Sequence, residues 1–185
     1  LGGGEGATVR EVLRWKTIEQ VVMLDIHPEV VSACRQHLPE MHQGAFENPR
    51  TELIIGDALE YLDRPHGPIF DVIISDLSDP VEDGPSYQLF TQECFAKTRR
   101  LLAPCGIFAI QAGATGLLEL PLYARLINTL NSVFAHVVPY ATFVPSFTSL
   151  WGFALASDIP IDLAQDPAAI DRLLSQILFK SSQSL

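Results

Sequence analysis

The sequence predicts a doubly wound, mostly parallel α/β sheet closed by an antiparallel strand pair. Short apolar runs alternate with amphipathic segments along the chain. Several of these runs end abruptly in a carboxylate beside small or turn-forming residues. Two β stretches near the end, His136 to Phe143 and Trp151 to Ala156, are joined by a link too brief for a crossover, so they should pair antiparallel.

The run Phe70-Asp71-Val72-Ile73-Ile74-Ser75-Asp76-Leu77-Ser78-Asp79-Pro80 organises the reading. Val72, Ile73 and Ile74 have the pattern of a strand buried on both faces. Pro80 and the Ser/Asp composition mark a loop at its carboxyl end. Ligands of open α/β sheets bind at that edge, so Asp76 and Asp79 are expected to face a crevice; the alternative is that they only cap the next turn.

The chain opens on Gly2-Gly3-Gly4-Glu5-Gly6-Ala7-Thr8, a glycine loop leading into a helix from Thr8 to about Trp15. Such a loop follows a strand, and only Leu1 precedes it, so the sequence reads as a piece that lacks its first strand. Gly2-x-Gly4-x-x-Ala7 fits the relaxed dinucleotide fingerprint and serves S-adenosyl ligands equally.

Val21 to Leu24 is the next strand, ending in Asp25. A carboxylate there can accept from vicinal ribose hydroxyls; the alternative is an acid at a helix N-terminus. Pro28 to Leu38 should be a helix with Val30, Val31, Cys34 and Leu38 inward, and His42 to Arg50 a polar loop. Glu52 to Ile55 is a strand that exits through Gly56-Asp57, where Asp57 could accept from an exocyclic amine. Ala58 to Asp63 follows as a short helix.

The segment 81–87 is rich in acid, Gly and Pro and could form a lid carrying Tyr87. Thr91 is an N-cap for a helix from Gln92 to Leu102. Pro104-Cys105-Gly106 reads as a turn, and Ile107 to Gln111 as a strand ending at Gln111-Ala112-Gly113. Pro121 to Phe134 is a helix burying Leu122, Leu126, Ile127 and Leu130. Trp151 and Phe153 read as core residues. Asp166-Pro167 opens a final helix through Leu174, and the last residues form a tail. This order fits a sheet of the methyltransferase type, with residues 1–158 as the catalytic core and 159–185 as the C-terminal helix and tail of the same domain.

Composition narrows the functions. The 185 residues suit one domain, and 48% apolar with 18% charged content argues against disorder. A net charge of −10 disfavours nucleic acid and suits a cationic ligand. No apolar run is long enough for a membrane helix. Cys34, Cys94 and Cys105 form no CxxC and read as buried free thiols, and the histidines show no metal spacing. No metal and no prosthetic group are expected, and the chain is read as cytoplasmic.

Glu5 helps decide among ligands. A carboxylate in this loop would repel the carboxylate of S-adenosylmethionine and the pyrophosphate of a dinucleotide. It would attract a ligand whose tail is only an ammonium, such as decarboxylated S-adenosylmethionine. Glu5, Asp25, Asp57, Asp76 and Asp79, with Glu82 and Asp83 nearby, suit a polycationic amine. A carboxylate can orient an attacking amine and take its proton. A plain methyltransferase would explain Asp25 and Asp57 and leave Glu5 and the Asp76/Asp79 pair unexplained. A non-catalytic member of the fold would show a blocked crevice.

Gly2-Gly3-Gly4-Glu5-Gly6, Val22-Met23-Leu24-Asp25-Ile26, Gly56-Asp57-Ala58, the run from Asp71 to Pro80, and Gln111-Ala112-Gly113 together resemble the polyamine aminopropyltransferases, the spermidine synthase family, over most of the chain to about Asp158. Glu5, Gly84-Pro85-Ser86-Tyr87, Gln111-Ala112-Gly113 and Trp151-Gly152 look closest to thermospermine synthases. The resemblance implies Asp76 as the residue that positions and deprotonates the amine. It implies Gly2, Gly4 and Glu5 on decarboxylated S-adenosylmethionine, with Glu5 on the aminopropyl ammonium, Asp25 on the ribose, and Asp57 with Ala58 on the adenine. Asp79, Gln111 and Tyr87 would contact the polyamine, spermidine or putrescine. Phe147 stands where relatives often carry a tyrosine. Relatives also carry an N-terminal β-rich segment that supplies amine and dimer contacts, so a homo-oligomer is implied for the full-length protein.

Overall fold

The computed structural model describes residues 1–64, 67–79, 86–164 and 166–178. Its strands are β1 (Val21–Asp25), β2 (Thr51–Ile55), β3 (Phe70–Ser75), β4 (Leu102–Ala114), β5 (His136–Val144) and β6 (Ser149–Ser157). Its helices are α1 (Ala7–Leu13), α2 (Pro28–His37), α3 (Pro39–His42), α4 (Ala58–Leu62), α5 (Gln92–Arg100), α6 (Leu120–Asn131) and α7 (Pro167–Leu178). β1 pairs parallel with β2, and β3 parallel with β4; β6 runs antiparallel between β4 and β5. The parallel sheet with a closing antiparallel pair is as expected.

Leu1 and Gly2 join the two halves. Gly2 N donates to Leu24 O at 2.9 Å, and Asp76 N donates to Leu1 O at 2.9 Å. Two residues thus occupy the slot between β1 and β3 and bring the carboxyl ends of both strands to one edge.

Strand alternation explains the layers. Neighbouring residues of β1 point to opposite faces. Met23 packs with Val9 of α1, Val31 of α2 and Phe46, whereas Leu24 packs with Ala58 and Tyr61 of α4. The larger core lies beneath α5 and α6, where Phe95, Phe108, Leu126, Leu130, Phe134, Ala154 and Ala156 meet. Thr91 caps α5 by accepting from Cys94 N at 3.3 Å, as its position predicts.

Several expectations are corrected. Ile73 is buried, but Val72 is 50% exposed, because it turns to the sheet face opposite α5. Val31 is the buried residue of α2, while Val30 and Leu38 are exposed, since only a narrow stripe of α2 meets β1. Leu122 of α6 is likewise exposed. The stretch from His42 is not a solvated loop: His42 is buried, its Nε2 lies 3.2 Å from Arg35 O, and its Nδ1 accepts from Gly44 N. Pro104-Cys105-Gly106 lies within β4. Phe70 pairs with Leu102 and Val72 with Ile107, so the residues between bulge from the ladder, where Pro104 has no N–H to give. That bulge leaves Cys105 exposed; Cys34 is half-buried and only Cys94 is buried. α7 runs on to Leu178, and the residues after it lie outside the described ones, as does the 81–85 part of the expected lid.

Candidate active site

The carboxyl edge of the sheet collects the acidic side chains, and each is placed by the point at which its strand stops. Asp25 ends β1. Its Oδ1 accepts from His27 N at 2.9 Å, and its Oδ2 overhangs the glycine loop, where a Cβ on Gly4 would come within 2.8 Å. Next to it, Gly56 N donates to Asp25 O at 2.9 Å, which fixes the exit of β2. Asp57 then caps α4: its Oδ1 accepts from Leu59 N at 2.8 Å. Ala58, the first residue of that helix, is buried.

On the other side of the glycine loop, Asp76 follows β3. Its Oδ2 accepts from Thr8 Oγ1 at 2.9 Å. Glu5 sits in the loop, half-buried, with no hydrogen bond or ion pair to another described residue. Asp79 lies further along the same exit. Gln111 Nε2 donates to Leu77 O and, at 3.4 Å, to Asp79 Oδ1. Ser86 Oγ donates to Asp79 O at 3.3 Å. Across the sheet the edge therefore reads Asp57, Asp25, the glycine loop with Glu5, Asp76, Asp79 and Gln111.

Of the acidic residues singled out from the sequence, the structure brings together Glu5, Asp25, Asp57, Asp76 and Asp79 with Gln111, while Glu82 and Asp83 lie outside the described residues. Tyr87 begins a short 3-10 turn and is 48% exposed, and its hydroxyl has no hydrogen-bond partner among the described residues. No group of metal-ligating side chains occurs among the described residues, and no helix among them is long and apolar enough to cross a membrane.

Comparison with known proteins gives this edge a context. The profile of the spermine/spermidine synthase domain matches residues 1–164. The chain belongs to the spermine/spermidine synthase family. A polyamine aminopropyltransferase of Synechococcus sp. (strain JA-2-3B'a(2-13)) is 58% identical over 178 residues, which is 96% of this chain and 57% of that protein. One from Aeropyrum pernix is 46% identical over 158 residues, covering 85% of this chain and 50% of that protein. A crystal structure of spermidine synthase in complex with the transition state analogue AdoDATO superposes with a TM-score of 0.84 at 28% identity, covering 93% of this chain and 58% of that chain. Spermidine synthase from Thermotoga maritima gives 0.81 at 28% identity, covering 93% and 57%. The chain thus spans between 50% and 58% of the length of these relatives.

Two residues of this spermine/spermidine synthase domain escaped the sequence reading. Thr8 read only as a helix start, yet its hydroxyl meets Asp76. Trp151 read as core, yet its indole Nε1 donates to Gln111 Oε1 at 2.8 Å, and its ring lies 4.4 Å from that of Phe147. The signal for Trp151 was available in the hairpin: β6 pairs with β4, so the residues opening β6 must lie beside those closing β4. Phe153 is half-buried and stacks on Tyr140 at 5.4 Å.

Proposed function

We propose that this chain is the catalytic part of a polyamine aminopropyltransferase, which transfers the aminopropyl group of decarboxylated S-adenosylmethionine to a polyamine. The observation that carries the reading is Glu5: an acid in the ligand loop without a cationic partner among the described residues, on the same edge as Asp76 and Asp79. A carboxylate that a bound ligand covers needs a counter-charge. The ammonium of the aminopropyl tail supplies one, and the carboxylate of intact S-adenosylmethionine would meet repulsion.

The nucleoside lies along the glycine loop at Gly2 and Gly4, with the ribose hydroxyls on Asp25 and the adenine against Asp57 and Ala58. The amine enters past Asp79, Gln111 and Tyr87. Asp76, with Oδ2 held by Thr8, turns its other oxygen to the attacking nitrogen. The nitrogen lone pair forms a bond to the methylene carbon beside the sulfonium. The carbon–sulfur bond breaks, and its electron pair stays on sulfur, giving neutral 5′-methylthioadenosine. The proton lost by nitrogen passes to Asp76 and then to solvent. The sulfonium is already a good leaving group, so orientation supplies much of the acceleration. Every residue in this account lies within 1–158, which supports reading that stretch as the catalytic core. The acids along the channel suit putrescine or spermidine, each ammonium finding an acceptor.

Calorimetric titration of the full-length protein with decarboxylated and intact S-adenosylmethionine tests the reading. The decarboxylated ligand should bind at least about tenfold more tightly, and Glu5→Gln should shrink that preference. Tighter binding of the intact ligand would move the protein to the methyltransferases.

A further inference from the structure

Gln111 is held at both ends, and the two ends are chemically unlike. Its Oε1 accepts from Gly113 N at 3.0 Å and from Trp151 Nε1 at 2.8 Å. Its Nε2 donates to Leu77 O and to Asp79 Oδ1. A backbone N–H and an indole N–H can only donate; a carbonyl and a carboxylate, when ionised, can only accept. Turning the amide over would set its NH2 against two donors and its oxygen against two acceptors. The network therefore admits one orientation of the amide, the one that offers an N–H to Asp79.

The backbone is shaped to allow this. β4 pairs with β6 at Gln111↔Phe153 and again at Ala114↔Trp151, so β4 carries one residue more than β6 between these points. The extra residue is accommodated at Gly113, which has φ +79. Such a bulge re-aims neighbouring side chains. It also lets Asp79 pack over the chain, since a Cβ on Gly113 would stand 3.2 Å from Asp79 Oδ1. The Phe147 ring packs against the indole, with ring centroids 4.4 Å apart.

We propose that Trp151 is a positioning residue for the polyamine site: its indole N–H fixes the orientation of the Gln111 amide, and through it the Asp79 carboxylate. The proposal rests on the aminopropyltransferase reading. Trp151 need not touch the amine. Without its N–H, the Gln111 oxygen keeps only the Gly113 donor, the amide is held less tightly, and it presents its N–H to Asp79 less of the time.

The test is 5′-methylthioadenosine release by the full-length protein, with the KM for the amine and for decarboxylated S-adenosylmethionine measured separately. Trp151→Phe keeps a ring and deletes the N–H. It should raise the amine KM by about tenfold and leave the KM for the nucleoside substrate within about twofold. In a Gln111→Ala background the same substitution should add nothing, because the group it acts through is gone. Gln111→Glu keeps an acceptor for Trp151 and Gly113 but turns an oxygen toward Asp79, and it should reproduce the amine defect with Trp151 intact. This variant decides the matter if Trp151→Phe does not fold. An unchanged amine KM in Trp151→Phe, additive losses in the double variant, or a Gln111→Glu protein with the wild-type amine KM would overturn the relay and leave the aminopropyltransferase reading standing. No release by the wild-type protein with any amine would overturn both.

Discussion

Thr8 Oγ1 donates to Asp76 Oδ2 across 2.9 Å, joining the first turn of α1 to the exit of β3. The bond occupies one oxygen of the carboxylate, and the other has no hydrogen-bond partner among the described residues. Asp76 is exposed, so without Thr8 its side chain would be free to rotate about χ1 and χ2. Thr8→Val, which keeps the shape and removes the hydroxyl, should lower the single-turnover rate by about tenfold, as expected for a lost bond to a charged acceptor. Thr8→Ser should retain most of the rate. Binding of decarboxylated S-adenosylmethionine should change little in either variant.

Two glycines with the same backbone angle should differ sharply in tolerance. Gly6 has φ +79 and Gly44 φ +78. Gly44 has open space where a Cβ would sit, so Gly44→Ala should cost only the left-handed strain, about 1 kcal/mol. A Cβ on Gly6 would come within 2.6 Å of the His42 Cβ and 2.8 Å of the Phe46 ring. Both of these neighbours are buried, so Gly6→Ala should cost about 3 kcal/mol or more. Urea unfolding of the two variants checks the contrast.

The cysteines give a prediction about pH. Burial pushes the Cys94 thiol up from an ordinary 9.0 to about 11. Its folded-state value is raised, so the folded state holds this proton more tightly than the unfolded chain does. The stability it contributes is full below pH 9 and is lost as pH rises toward 11. The slope should be about 1.4 kcal/mol per pH unit over that window. Cys94→Ser should flatten it. At pH 8 a thiol reagent should label the exposed Cys105 at once and Cys94 only on unfolding, as mass mapping of the labelled residues would show.

The edge of the sheet was legible because apolar runs stop where the chain leaves the sheet. Asp25 and Asp76 each stand at such a stop, and Asp57 stands two residues past the one that ends β2, which is why their placement followed from pattern alone. The antiparallel closure followed from the short link between β5 and β6. What pattern could not convey is where side chains cross between elements. Thr8 meets Asp76 because Leu1 and Gly2 pin the glycine loop against β3, a pairing of residues far apart in sequence. Trp151 meets Gln111 because of the extra residue at Gly113, which alternation counted along either strand alone does not reveal. His42 read as the start of a polar loop because its neighbours are polar, yet packing on Phe46 with ring centroids 4.8 Å apart buries it. Val72 misled in the opposite sense: an apolar run implied two covered faces, and one of them is open at that residue.

The most direct test of the central claim is 5′-methylthioadenosine release by the full-length protein supplied with decarboxylated S-adenosylmethionine, with and without putrescine or spermidine, for wild-type and Asp76→Asn. Release should require an amine and fall by at least about a hundredfold in Asp76→Asn, the range expected for loss of a positioned general base. Release independent of an amine, or an Asp76→Asn protein as fast as wild-type, would contradict the assignment of Asp76 and of the reaction.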